Sequence, residues 1–287
     1  MATSYVIQKF MSNVLILGSQ GMLGGELKRT FSKALGWDRN ELDLGQIDNL
    51  AGRLAALPQI PAAVINCAAY NNVDGAEQDP KQAFLINATA VGKMASACTG
   101  LGIPLVHFSS NYVFDGEKGE YAEDDKPEPL SAYGKSKYQG EKLLQENCFK
   151  YYLIRTSVLF GQEAESEYAK KSFIEIMLEM REKTDTIKAV NNEVNSITYV
   201  SDLAAAVETL ITKKYPYGIY HIVNSGQASW YDFAGEIFKL KQKDVHLVPT
   251  GASEFPRLAP RPKKAVLINT KFPPLRSWQE ALREFLN

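Results

Sequence analysis

The chain has 287 residues, 45% of them hydrophobic, with 32 Lys and Arg against 33 Asp and Glu, for a formal net charge of −1. That length supports one large domain, or a main domain with a smaller annex. The balanced, interspersed charge excludes the basic footprint of a nucleic-acid or anionic-membrane binder. Three cysteines, Cys67, Cys98 and Cys148, are too few and too scattered for a disulfide framework or a paired-cysteine metal site. They read as reduced thiols of a cytoplasmic protein, and no metal is expected.

Residues 1–10, MATSYVIQKF, lack the basic start and long apolar core of a signal peptide, and no 18-residue apolar run exists. They read as an N-terminal extension ahead of the first strand. That strand is NVLILG (13–18), followed by a helix from about Met22 to Ser32. Between them Gly18, Gly21 and Gly24 are spaced G-x-x-G-x-x-G. Glycine suits a tight turn, a close approach of backbone to a pyrophosphate, and close packing of helix on strand. The helix N-terminus then offers free N–H groups to phosphates. Asp38 lies 20 residues beyond Gly18, where an acid would hold an adenosine ribose, and Arg39 beside it could equally face a 2′-phosphate. Asp43 and Leu44 follow as a further adenine-edge contact.

AAVINCAA (62–69) is the next strand, and a long helix is expected from about Asp79 to Thr99. IPLVHFSS (103–110) and YYLIRTSVLF (151–160) are strands flanking a helix that carries YGKSK. Near-continuous apolar strands separated by helices predict an α/β protein: a Rossmann-type doubly wound parallel sheet covered on both faces. Beyond Gly161 the rhythm loosens, with a helix at 172–182, a strand TIKAV, a helix from Ser201 and a strand GIYHIVN. Two later helices open with capping boxes, SWYD (229–232) and SWQE (277–280). The Pro-rich stretch 256–274 reads as an ordered loop region.

Y-x-x-x-K occurs three times, at Tyr5/Lys9, Tyr133/Lys137 and Tyr138/Lys142. Tyr5 falls in the extension. Tyr138 is turned about 140° around the helix from Tyr133, so only one of the two can face a cofactor. Tyr133 follows the loop DKPEPLSA, which delivers it to the first turn beside the strand end that holds Ser109 and Ser110. Ligands of open parallel sheets bind at the carboxyl ends of strands. Reduction of a carbonyl needs a hydride donor, a proton donor and a group that holds the oxygen. A phenol can give the proton, a lysine one turn on can favour the phenolate and bind the nicotinamide ribose, and Ser110 can hold the substrate oxygen.

Taken together, GSQGMLGGEL, VINCAAYNNVDGAEQDP, SSNYVFDG, EDDKPEPLSAYGKSKYQGEK, LIRTSVLFG and APRPKKAVL resemble the extended short-chain dehydrogenase/reductase superfamily, more narrowly the dTDP-4-dehydrorhamnose reductase family. The resemblance runs from about Asn13 to the C-terminus. It implies an NADPH- or NADH-dependent reductase of a nucleotide-linked 4-keto sugar, working as a monomer or homodimer without nucleic-acid or membrane partners. Gly18, Gly21, Met22, Leu23 and Gly24 would surround the pyrophosphate, with Asp38, Arg39, Asp43 and Leu44 at the adenosine. Cys67, Ala68, Ala69, Tyr70, Asn87 and Ser109 would line the path to the nicotinamide. Tyr133 would be the proton donor, assisted by Lys137 and Ser110. Residues 11–161 with 186–224 would form the dinucleotide domain, and 162–185 with 225–287, including Arg261, a smaller sugar-nucleotide lobe.

Three departures from the family pattern fall on the expected substrate side. Ser110 and Asn111 stand where the family has Thr and Asp, and Val158 stands where an aromatic would meet the sugar. NSIT (195–198) replaces a G-x-P-T motif. A sibling reductase or epimerase on another UDP-, GDP- or dTDP-linked sugar is therefore an alternative. So is a non-catalytic regulator similar to the β subunit of methionine adenosyltransferase, which the Ser109–Ser110 pair favours.

Overall fold

In the computed structural model, which describes residues 13–166 and 169–287, the apolar runs form one six-stranded parallel sheet. In chain order the elements of the first half are β1 (Val14–Leu17), α1 (Met22–Thr30), β2 (Leu35–Trp37), α2 (Leu50–Ala55), β3 (Ala63–Asn66), α3 (Val73–Gln78), α4 (Pro80–Phe84), α5 (Ala90–Leu101), β4 (Leu105–Ser110), β5 (Gly119–Tyr121), α6 (Ala132–Asn147) and β6 (Tyr151–Thr156). The second half adds β7 (Leu159–Phe160), α7 (Phe173–Lys183), β8 (Thr186–Val190), β9 (Val194–Asn195), β10 (Thr198–Tyr199), α8 (Val200–Thr212), β11 (Gly218–His221), β12 (Asn224–Ser225), β13 (Ala228–Ser229), α9 (Trp230–Leu240), β14 (His246–Thr250), β15 (Lys264–Leu267), β16 (Leu275–Ser277) and α10 (Trp278–Leu286).

The main sheet runs β11-β6-β4-β3-β1-β2. Its order reverses between β1 and β3, the point at which such sheets take their ligands. Successive residues of a strand face opposite sides, which is why whole strands are apolar here. Val14 and Ile16 of β1 pack on one side with Leu27 of α1 and with Leu203 and Val207 of α8. Leu15 and Leu17 pack on the other with Leu54 of α2, Met94 of α5 and Leu144 of α6.

The later elements build a second layer. A four-stranded sheet, β13-β9-β15-β5, joins the two-residue strands β13 and β9 to β15 and to β5, which precedes α6 in the chain. Behind it Phe160, Ile174, Phe233, Ile237, Trp278 and Leu282 form a separate apolar cluster. Both anticipated capping boxes are made, at Ser229/Asp232 and Ser277/Glu280, and a third opens α7 at Ser172/Glu175.

Several elements differ from expectation. The long helix from Asp79 is interrupted by a π turn at Leu85–Thr89 that separates α4 from α5. The Pro-rich stretch holds β15, paired with both β5 and β9. GIYHIVN splits, so that Asn224 and Ser225 leave the main sheet and pair with β16. The extension at 1–10, with Tyr5 and Lys9, lies outside the described residues. Among the described residues, no helix is long and apolar enough to cross a membrane.

Candidate active site

The glycine turn is built as its spacing requires. Gly18 has φ +75°, and a Cβ there would lie 2.9 Å from the Ala68 nitrogen. A Cβ on Gly24 would sit 2.0 Å from the Gly18 carbonyl oxygen, so α1 can rest on the turn only with glycine at that position. Gly21 is the N-cap of α1 and supplies no side chain to its first turn. The free N–H groups of that turn are what a phosphate would accept as donors. Gly18, Gly21, Met22, Leu23 and Gly24 form one wall of a cleft of about 290 Å³. Cys67, Ala68, Ala69, Ser109, Ser110, Tyr133, Lys137 and Val158 are among the residues that line the remainder, whereas Tyr70 is not.

Asp38 stands at the end of β2 beside this turn. Its carboxylate accepts from the Ser19 hydroxyl at 2.5 Å and from the Gln20 N–H at 3.1 Å. Arg39 is exposed. Asp43 accepts the Gly45 N–H at 2.8 Å, while Leu44 is buried in the core, so neither lines the cleft. Asn87 does not line it either. From the π turn its Oδ1 accepts the Tyr70 N–H at 2.8 Å, and its Nδ2 donates to the Tyr70 carbonyl and to the Ser136 hydroxyl. Asn87 thereby fastens the strand-end loop through Tyr70 to α6, and π turns recur at functional sites for this kind of reshaping.

Ser131 caps α6 by accepting the Gly134 N–H, which places Tyr133 in the first turn and Lys137 one turn further along the same face. Burial pushes the Tyr133 phenol up to about 12, against the downward pull of the Ser110 hydroxyl. The phenol therefore holds its proton at neutral pH. Lys137 is 2% exposed, and its ammonium donates to the Phe108 carbonyl at 2.6 Å. Burial lowers it to about 8, with Glu141 opposing. The expected effect of Lys137 on the phenol is thus secondary here to burial, Ser110 and the neighbouring Tyr112. Burial also keeps the Cys67 thiol protonated.

The lysine shift carries a sign. A depressed lysine is cationic below about 8 and neutral above. kcat/KM for a dinucleotide, which reports the free enzyme, is expected to fall as pH rises through about 8. Lys137→Arg, whose charge does not titrate, should remove that limb even if it lowers the plateau. A limb that survives in Lys137→Arg belongs to another group.

The substrate-side residues are placed less as expected. The Asn111 carboxamide is buried and does not line the cleft: its Nδ2 donates to Asn195 Oδ1 at 2.8 Å and to the Ala265 carbonyl at 3.0 Å, and its Oδ1 accepts from the Ser110 hydroxyl at 3.4 Å. Two of the three departures from the family pattern are thus bonded to each other inside the second layer. Val158 lines the cleft with φ +34°, a conformation that a β-branched side chain rarely adopts. Arg261 is paired with Asp74, at 2.7 Å from Nη2 to Oδ2, and holds that carboxyl at about 2. It touches the site through Tyr112, whose ring meets the Tyr133 ring edge-on at 5.7 Å.

The sequence reading missed Ser157. It lines the cleft directly before Val158, and like Ser109 its buried hydroxyl has no partner in the protein. Its position at the carboxyl end of β6 was the available signal. The uncapped α1 terminus, the glycine cradle and these two hydroxyls fit a nicotinamide dinucleotide, with phosphates at the turn and a polar ring substituent at the strand ends. Among the described residues no cluster of three or more His, Cys, Asp or Glu side chains could hold a metal ion.

Residues 11–287 match the family described as RmlD substrate binding domain. A spore coat polysaccharide biosynthesis protein, SpsK, of Bacillus subtilis is 34% identical, covering 96% of this chain and 97% of that protein. A probable dTDP-4,6-dihydroxy-2-methyloxan-3-one 4-ketoreductase of Streptomyces antibioticus is 37% identical, covering 94% and 93%. Among solved structures, a dTDP-4-dehydrorhamnose reductase of Bacillus anthracis in complex with NADP superposes with a TM-score of 0.87 at 33% identity, covering 95% of this chain and 97% of that one.

Proposed function

Because the chain belongs to the family of the RmlD substrate binding domain, we propose that it uses NADPH or NADH to reduce the C4 keto group of a nucleotide-linked 6-deoxy-4-keto sugar. The leading substrate is dTDP-4-dehydro-L-rhamnose, which would give dTDP-L-rhamnose. The observation that carries this reading is the meeting of Tyr133, Lys137 and Ser110 with the glycine turn around one cleft. The dinucleotide, when bound, supplies the hydride. Tyr133 gives its phenolic proton to the carbonyl oxygen as the alkoxide forms, Ser110 holds that oxygen, and the Lys137 ammonium favours the phenolate left behind. Residues 11–161 with 186–224 would bind the dinucleotide, and 162–185 with 225–287 the sugar nucleotide. β5 and β9 of the first part lend strands to the lobe's sheet.

Val158 favours a second reading, a sibling enzyme for another sugar nucleotide, since valine covers far less of a hexose face than an aromatic ring would. Oxidation of NADPH and NADH measured against a panel of dTDP-, UDP- and GDP-linked 4-keto-6-deoxy sugars separates the two. Turnover confined to a sugar other than the rhamnose precursor would shift the assignment to the sibling enzyme. Binding titrations of NADPH and NADH to the protein test cofactor choice. Asp38 favours a free ribose and Arg39 a 2′-phosphate. We expect a preference under about tenfold, equivalent to ~1.4 kcal/mol. A Kd ratio above about a hundred in either direction would refute dual use.

A further inference from the structure

On the adenosine side of the glycine turn, we propose that Ser19 is a specificity-determining residue: by occupying the Asp38 carboxylate, it lets this chain accept NADPH as well as NADH. The proposal rests on the reading that the turn holds a dinucleotide with Asp38 at the adenosine ribose.

Asp38 is the residue expected to face that ribose, yet both of its oxygens are already engaged. Oδ2 accepts from the Ser19 hydroxyl at 2.5 Å, and Oδ1 accepts from the Gln20 N–H at 3.1 Å. Both donors belong to the glycine turn itself, between Gly18 and Gly21. Ser19 is 4% exposed and Asp38 is half-buried, so the serine hydroxyl is shielded from water while the carboxylate is not. Gly36 of β2 leaves room for this approach, since a Cβ there would lie 2.5 Å from the Ser19 hydroxyl oxygen. Two more charged groups stand beside the acid. Glu41 is exposed and accepts the Asp38 N–H at 2.9 Å, and Arg39 is the exposed cation next in the chain.

An acid at this position serves a free ribose by accepting from its hydroxyls, and it opposes a 2′-phosphate by like-charge repulsion. A hydroxyl and an amide that donate to the carboxylate offset part of its charge and fix its orientation. With Oδ2 held on the serine, less negative potential meets a 2′-phosphate, and the Arg39 guanidinium can outweigh it. Without the serine hydroxyl, Oδ2 regains its charge and is free to take the ribose hydroxyls. NADH should then bind more tightly and NADPH more weakly. Had Ser19 served to aim the acid at a ribose, its removal would weaken NADH and spare NADPH. The two roles differ in sign.

Fluorescence titration of the purified protein with NADPH and with NADH gives both Kd values and needs no sugar. In Ser19→Ala the ratio of the NADPH Kd to the NADH Kd should rise about tenfold, the scale of one hydrogen bond to a charged group. Asp38→Asn removes the charge that the serine offsets. Adding Ser19→Ala in that background should move the ratio by less than about twofold. A ratio that falls in Ser19→Ala, or stays within about twofold because both dinucleotides weaken alike, overturns the proposal. An equal rise in the Asp38→Asn background also overturns it, because the serine would then act without the acid. A protein that shows the shift but turns over no sugar keeps this inference and loses the proposed reaction. One that binds neither dinucleotide loses both.

Discussion

Tyr133→Phe is expected to lower kcat by a factor on the order of 10²–10⁴, the usual range for a lost acid–base group, while leaving dinucleotide affinity nearly unchanged. The ring stays, so its edge-on contact with Tyr112 and the packing of the first turn of α6 persist. Only the proton held by a phenol at about 12 is removed. Tyr138→Phe is the matched control. Its ring lies against the cluster of Val113, Phe114 and Tyr121, with the Lys142 ammonium 5.1 Å over its face, on the opposite side of α6 from the cleft. That change should be nearly silent. Equal losses in the two variants, or a larger loss at Tyr138, would show that the proton donor has been misplaced.

Asn111→Asp should destabilise the fold by about 3 kcal/mol and should not improve substrate binding. Read from sequence, restoring the family's aspartate promised a charge-assisted contact to sugar hydroxyls. The structure reverses that expectation. The buried amide donates to two acceptors, Asn195 Oδ1 and the Ala265 carbonyl, and a carboxylate donates to neither. Asn195 could turn its own amide toward the new acid, but the Ala265 carbonyl would still face a negative oxygen. Burial raises the folded-state pKa of such an acid, so the deficit should shrink as pH falls and grow as it rises. Chemical denaturation at two pH values measures both the size and the sign. If Asn111→Asp unfolds like the unsubstituted protein and lowers KM, the side chain faces the sugar after all.

What could be read in advance was what repeats locally. The apolar strands of the main sheet, the glycine turn and the Tyr133–Lys137 pair each lie within a dozen residues, and physical chemistry constrains such stretches without long-range information. The failures are long-range. β15 lies among prolines and carries only four residues, and it is a strand because β5 and β9, from distant parts of the chain, present free edges on either side. The π turn has no local signature; what shows its use is the bond from Asn87 to Tyr70 and Ser136. The Asn111–Asn195 bond spans 84 positions, so each residue looked like a separate departure from the family pattern. The capping box at Ser172 was legible and overlooked.

The order in which the main sheet acquires its covering has a consequence during synthesis. Strands β1, β3, β4 and β6 are complete once residue 156 has been made, but the face on which α1 lies is fully covered only when Leu203, Val207, Leu210 and Ile211 of α8, with Tyr220 and Ile222, have been added. At about 5–20 residues per second, several seconds pass between the last of those strands and their cover. A nascent chain in that interval exposes a broad apolar sheet face, the kind of surface that chaperones hold and that aggregates nucleate on. Fragments ending near residue 165 are therefore expected to be insoluble, although they contain the whole glycine turn and the tyrosine–lysine helix, and co-expressing residues 186–287 should rescue part of them.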